Sequence, residues 1–171
     1  MPEIPPKSND DLLNRLDDLC IAHTTYRHSP LFTVQQSQTQ RSIHYGSHIK
    51  NLFLRDKKRR MWLVTVEEER VVDLKNLKHT LGAQGNLLFG SAELLMEVLG
   101  VLLGAITPFS IINDYKTRVT LVLDQAILCQ RLVNAHPLRN DMTTTVTTLD
   151  LLKFAEAEAH TPIILNFDKV D

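Results

Sequence analysis

With 171 residues, 43% of them apolar and 23% charged, the chain has the make-up of an ordinary soluble globule, long enough to bury one core without metals or disulfides. A formal net charge of -1 excludes a global attraction to nucleic acid or membrane, so any polyanionic partner must meet a local patch. No apolar run reaches the ~18 residues that span a bilayer, and the opening Met-Pro-Glu-Ile-Pro-Pro lacks the layout of a signal peptide.

Residues 1–7 read as a loose arm, and residues 8–171 as a single domain. Ser8 can cap a helix over residues 9–22, in which Leu12, Leu16 and Leu19 recur at helical spacing and Asp10 and Asp11 sit where the helix dipole favours anions. A short extended piece follows around Tyr26 and Arg27. Ser29-Pro30 then breaks the pattern, and residues 35–42 read as a short helix or a loop.

From Ile49 to Val66 the alternation predicts a β-hairpin: one strand through Leu52 and Leu54, a turn at Lys57-Lys58-Arg59-Arg60, and a second strand from Met61 to Val66. Val71 and Val72 suggest a third strand. Leu74, Leu77, Lys78 and Leu81 fit a helix stopped by Gly82, and Ser91 can cap another from Glu93 to Leu99 that ends at Gly100. Strands are expected near residues 119–123, 132–135, 143–146 and 163–165, with a helix over residues 150–157 capped by Thr148. This irregular interleaving predicts an α/β fold with a mixed sheet flanked by helices, not a doubly wound parallel one.

Cys20 and Cys129 lie far apart among apolar neighbours, which predicts reduced, buried thiols in a cytoplasmic protein and no disulfide framework. No metal or other cofactor is expected. His44 and His48 are four apart, but Tyr45-Gly46-Ser47 between them reads as a turn, and His23, His28, His79 and His160 are scattered and expected at the surface.

Three constellations could carry chemistry. Lys50 and Asn51 stand at the start of a strand, where a lysine either fixes an anion or is merely solvated, and an amide can read a hydroxyl or carbonyl. Gly104-Ala105-Ile106-Thr107-Pro108-Phe109 makes a stiff turn whose backbone N–H groups could approach a ligand closely, or else a structural loop after a helix. His136 precedes Pro137, so its imidazole projects from extended backbone toward a ligand or a neighbouring loop. No serine sits in a nucleophile-elbow context, which disfavours a Ser-His-Asp hydrolase. Lys57, Lys58, Arg59 and Arg60 form either a solvated turn or a local patch for a phosphate backbone.

Lys50-Asn51-Leu52-Phe53-Leu54-Arg55-Asp56, Gly104 to Phe109, Ile112-Asn113-Asp114, Val122-Leu123-Asp124 and His136-Pro137-Leu138, in this order, resemble the YbaK and prolyl-tRNA synthetase associated domain family, in particular its freestanding editing branch. The resemblance covers residues 8–168. It implies a partly barrel-like mixed sheet with flanking helices, and a hydrolase that cuts the ester between a wrongly attached amino acid and the terminal adenosine of tRNA. It also implies that Lys50 is the residue most closely tied to activity, that Gly104 to Pro108 line the site near the ester, and that His136 shapes the pocket. Two departures stand out: Leu103 replaces a proline that many relatives carry before the loop glycine, and Arg59 or Arg60 replaces a glycine of the hairpin turn.

An aminoacyl ester is already activated and has a vicinal ribose hydroxyl, so positioning can suffice. The expected scheme has Lys50 holding the terminal phosphate, the loop N–H groups polarising the carbonyl, water attacking with help from the substrate's hydroxyl, and Asn51 and His136 orienting the ribose or amino acid. Ile43, Leu52, Phe53, Ile106 and Phe109 are expected pocket walls that exclude the proline ring, with Ala105 and Thr107 contributing to the same lining. The expected partner is the CCA end of tRNA(Pro), with alanine the expected ester, cysteine and serine the alternatives, and prolyl-tRNA synthetase a further partner. The competing reading is a non-catalytic module that binds tRNA or a synthetase. The oligomeric state is not readable from the sequence.

Overall fold

The computed structural model describes residues 4–30 and 45–169. Ser8 starts α1 (Asn9–Asp18) with a reciprocal capping box, in which its hydroxyl accepts from the Asp11 N–H while the Asp11 carboxylate accepts from the Ser8 N–H. The helix stops four residues before the expected end. Cys20 adopts φ +57° and Ile21 donates back to the Leu16 carbonyl, the left-handed termination usually signalled by glycine. β1 (Thr24–Arg27) is the extended piece at Tyr26, and it pairs antiparallel with a strand more than a hundred residues later.

β2 (Ser47–Arg55) and β3 (Met61–Glu67) form the expected hairpin. β3 is apolar at nearly every position because it is central, with both faces covered, β2 on one edge and a parallel strand through residues 119–123 on the other. Val71 and Val72 form no strand, since the chain turns at Arg70 to enter α2 (Leu74–Thr80), capped by Asp73. A two-residue strand β4 (Leu88–Phe89) precedes α3 (Ala92–Leu99), whose cap Ser91 and left-handed end at Gly100 match the reading of the sequence.

A 3-10 helix over Pro108–Asn113 leads to β5 (Val119–Asp124), α4 (Gln125–Leu128), β6 (Leu132–Ala135), β7 (Met142–Thr147), α5 (Thr148–Ala157), β8 (Ile163–Leu165) and a closing 3-10 turn at Phe167–Lys169. The cap of α5 is Thr147, one residue earlier than expected, whose hydroxyl accepts from the Asp150 N–H. Among the described residues the eight strands make one mixed sheet in the order β1-β7-β6-β2-β3-β5-β8, with β4 joining β2. The fold is therefore the mixed α/β architecture that the irregular order of elements implied.

Strand alternation sorts the apolar residues into two cores, one on each face. Phe53, Leu63, Leu121 and Leu123 pack with α1, α3, α5 and Phe109, whereas Leu54, Trp62, Val64, Val66 and Val122 pack with Leu77 of α2 and Leu87. Residues 4–7, expected as the end of a loose arm, lie along the end of α3, where the Lys7 N–H donates to Asn113 Oδ1. Both cysteines are exposed, contrary to expectation, because Cys20 occupies a helix terminus and Cys129 the cap of α4.

The other correction is His160, expected at the surface but 4% exposed. Its Nε2 meets Asp114 Oδ2 at 2.9 Å and its Nδ1 faces the Glu158 carbonyl, so α5's exit is clamped to the start of β5. Burial works against charge on His160, but the bonds to Asp114 and to the Glu158 carbonyl outweigh it and raise its pKa above the ordinary histidine value. The stabilisation is then fully present below the unfolded value of about 6.5 and fades as the pH rises through the folded one. Replacing His160 with Gln should cost about 3 kcal/mol near pH 6. Urea midpoints should show the gap between parent and variant narrowing as the pH is raised; a gap constant with pH would mean that the pair is not charged.

Candidate active site

β2 has one edge fully paired with β3, whereas its other edge is shared. Ser47 and His48 pair with Val133 and Asn134 of β6, Leu54 and Arg55 pair with Phe89 and Leu88 of β4, and the Gly90 N–H reaches the Phe53 carbonyl. Between these contacts lies a window, residues 49–52, with no strand beside it among the described residues. The Glu68 N–H bonds to the His48 carbonyl, which fixes the alternation: Ile49 and Asn51 turn their backbone groups toward the window. The candidate residues gather around it.

Lys50 and Asn51 are adjacent on the strand and therefore project from opposite faces. Lys50 shares its face with its pairing partner Val66 and is half-buried, and its ammonium makes no hydrogen bond or ion pair among the described residues. His136 lies just past the end of β6, two residues beyond the pairing of His48 with Asn134, so alternation turns it toward the face of β2 that carries His48 and Lys50. The His136 Nδ1–H donates to the Met142 carbonyl at 2.9 Å, which leaves Nε2 as an acceptor. Burial pushes the pKa of His136 below the ordinary value, with the Met142 bond and the charges of Asp141 and Glu68 opposing and the nearby His28 assisting, so the ring is neutral at neutral pH. The His28 and His136 rings lie 6.3 Å apart.

The Asn51 side chain is bonded at both ends within the protein. Its Nδ2 donates to the Ile106 carbonyl at 3.0 Å, and its Oδ1 accepts from the Thr65 hydroxyl at 2.6 Å. Asn51 thus ties β2 and β3 to the loop after α3. Gly104 adopts φ +85°, the Ala105 N–H donates to the Leu102 carbonyl, and Thr107 caps the 3-10 helix by accepting from the Phe109 N–H. The N–H groups of Gly104, Ile106 and Thr107 donate no hydrogen bond among the described residues. They are the donors this loop can offer to an oxyanion.

Several expected pocket walls occupy other places. Phe109 is fully buried with its ring edge-on to Phe154 at 5.3 Å, and Phe53 is buried with Gly90 so close that a Cβ there would sit 2.5 Å from the Phe53 ring. Ala105, Thr107 and Pro108 are also buried, so these five brace the loop from behind. Leu52 and Ile106 remain half-buried near the window, and Ile43 lies outside the described residues, as does His44. No group of three potential metal ligands occurs among the described residues. Thr65 escaped the sequence reading, although its place opposite Asn51 follows once the hairpin register is known.

At the hairpin tip Lys57, Lys58 and Arg59 are exposed, with no ion pair among the described residues, but Arg60 is structural. Its guanidinium bonds to Asp56 and to the Gly82 carbonyl and lies over Trp62 at 5.3 Å. Arg59 supplies the left-handed position of the turn at φ +64°. A cleft of about 390 Å³ between residues 4–7 and the end of α3 shares no residue with the window, Lys50 or His136.

Substituting Asn51 with Ala, or Thr65 with Val, should free the loop by removing the same anchor. A cost of about 1–3 kcal/mol is expected for Asn51→Ala because the Ile106 carbonyl is left unpaired. Hydrogen exchange at residues 104–108 should speed up in both variants; unchanged exchange would show that the anchor carries no load.

The sequence from residue 28 to 154 matches the family model for the aminoacyl-tRNA editing domain. The chain is 39% identical over 164 residues to prolyl-tRNA synthetase associated domain-containing protein 1 of Danio rerio, covering 95% of this chain and 87% of that one. It is 32% identical to the prolyl-tRNA editing protein ProX of Acetoanaerobium sticklandii, over 88% of this chain and 92% of the relative. A solved structure presented as a candidate trans-editing enzyme for prolyl tRNA synthetase superposes with a TM-score of 0.70 at 16% identity, over 94% of this chain and 96% of that one, and so shares the fold. With the match extending over most of the chain and through the strands that frame the window, the protein belongs to the aminoacyl-tRNA editing domain family.

Proposed function

We propose that the chain is a trans-editing deacylase that hydrolyses the ester of mischarged tRNA(Pro), with alanyl-tRNA(Pro) the preferred substrate. The observation that carries this reading is the window beside β2: a lysine with no partner among the described residues and a neutral histidine on one face, and backbone N–H donors held on a short tether from the other. Water adds to the ester carbonyl, the loop N–H groups take the charge that develops on its oxygen, and the bond to the ribose oxygen breaks as that oxygen gains a proton. Lys50 holds the terminal phosphate, and His136 accepts a hydrogen bond from a ribose hydroxyl at Nε2. The neighbouring hydroxyl of the substrate assists the water, so the protein supplies position and not a nucleophile.

Ile106 stands where the side chain of the amino acid would enter, held by Asn51 through its own carbonyl. A rigid wall there admits a methyl group and refuses a ring, which loss of contact alone could not do, since one methylene is worth only about 1–3 kcal/mol. The reaction takes place where charged tRNA is used, in the cytoplasm, and prolyl-tRNA synthetase is the partner whose error it removes. The names of the relatives support this reading.

Incubation with alanyl-, cysteinyl-, seryl- and prolyl-tRNA(Pro) should release alanine alone. Lys50→Ala should slow this by about a hundredfold with the fold intact, the scale of loss expected when a positioned substrate goes out of place. Ile106→Ala should extend cleavage to larger esters. Binding of all four without cleavage would identify a non-catalytic module instead, and loss of activity in chelator would identify a metal hydrolase.

A further inference from the structure

Phe89 is 61% exposed, yet its backbone is held in a strand pairing. It pairs with Leu54, its neighbour Gly90 donates to the Phe53 carbonyl, and Gly90 lies so close to the Phe53 ring that no side chain fits there. Pairing with Leu54 sets Phe89 on the face of β2 that also carries Lys50, and the burial of Leu87 in the core on that face agrees with this alternation. Leu54 is four steps along the strand from Lys50, roughly 13 Å at the usual rise, and the basic tip lies just beyond in the same direction. A rigidly mounted, solvent-facing aromatic ring between a lysine and a cluster of cations is the combination that grips a single-stranded nucleic acid, by stacking a base and following its phosphates.

We infer that Phe89 is a stacking platform for an unpaired base of the tRNA 3′ end. The strand runs along β2 with its ester at Lys50 and the window, a penultimate base on Phe89, and the acceptor-stem phosphates at Lys57, Lys58 and Arg59. This inference rests on the reading of the window as the ester site, and it adds a direction to the bound strand and a residue that reads its unpaired end. Charge complementarity selects this occupant over a protein partner: the tip offers three exposed cations with no ion pair among the described residues, while the adjoining carboxylate, Asp56, is buried and bonded to Arg60.

The test uses the full chain and deacylated RNA hairpins with the tRNA(Pro) acceptor stem, one ending in the unpaired CCA and one blunt. Phe89→Ala should weaken binding of the CCA-ended hairpin by about tenfold and leave the blunt hairpin unaffected, in line with the loss of one base–aromatic stack. Phe89→Trp should bind as the parent does, and Phe89→Leu, which keeps apolar area but no ring, should bind as the alanine variant does. Equal binding by Phe89→Ala and parent, equal losses on both hairpins, or full rescue by leucine would each overturn the proposal. So would a change in sedimentation showing that Phe89 holds two copies together. Because the RNA carries no ester, a protein that binds in this way yet never hydrolyses alanyl-tRNA would sink the deacylase reading and leave this one standing.

Discussion

β2 has two edges and three neighbours, and the structure is organised around that mismatch. A strand nine residues long is too long for either short partner on its shared edge, so β6 takes its beginning and β4 its end. The stretch between them keeps backbone groups that no strand satisfies among the described residues. Barrels remove edges and sandwiches cover them, whereas here an edge is kept within the sheet itself, framed on both sides. The loop at Gly104 approaches from the face that carries Asn51, and His136 stands toward the other.

The second organising feature is where the negative charge goes. Asp56 accepts five hydrogen bonds, from the N–H groups of Lys58, Arg60 and Gln84 and twice from the Arg60 guanidinium. Burial would raise its pKa, but these bonds hold it below the ordinary carboxylate value. Asp114 accepts from the N–H groups of Arg118 and Val119 and pairs with His160, while Asp124 caps α4 and binds Arg70. Three carboxylates are thus spent on turns and caps inside the molecule. A chain with 19 basic and 20 acidic residues still presents a basic hairpin tip, because net charge counts buried and exposed groups alike.

Much of this was legible in the sequence where a single residue type carries a single geometric message. Ser8 and Ser91 announced their helices, Gly100 the end of one, and the alternation from Ile49 to Val66 the central hairpin. The motifs around Lys50, Gly104 and His136 indicated the family. What could not be read depended on partners distant in the chain or on residues in unusual conformations. Cys20 ends α1 in a backbone state that cysteine rarely adopts, and β4 is too short to show a period. Asn51 looked like a ligand-reading amide because nothing local reveals that Ile106, 55 residues later, would take its N–H. His160 looked like a surface residue because its partner Asp114 is 46 residues away.

Arg59 shows what this arrangement asks of evolution. A non-glycine residue at φ +64° carries a backbone penalty of roughly 1 kcal/mol that glycine would avoid. Selection for a sturdier fold would drift toward glycine at that corner, and in doing so would remove an exposed cation from the tip. The turn is therefore a place where robustness and surface charge pull in opposite directions: glycine at this corner relieves the backbone and thins the cationic tip by one charge.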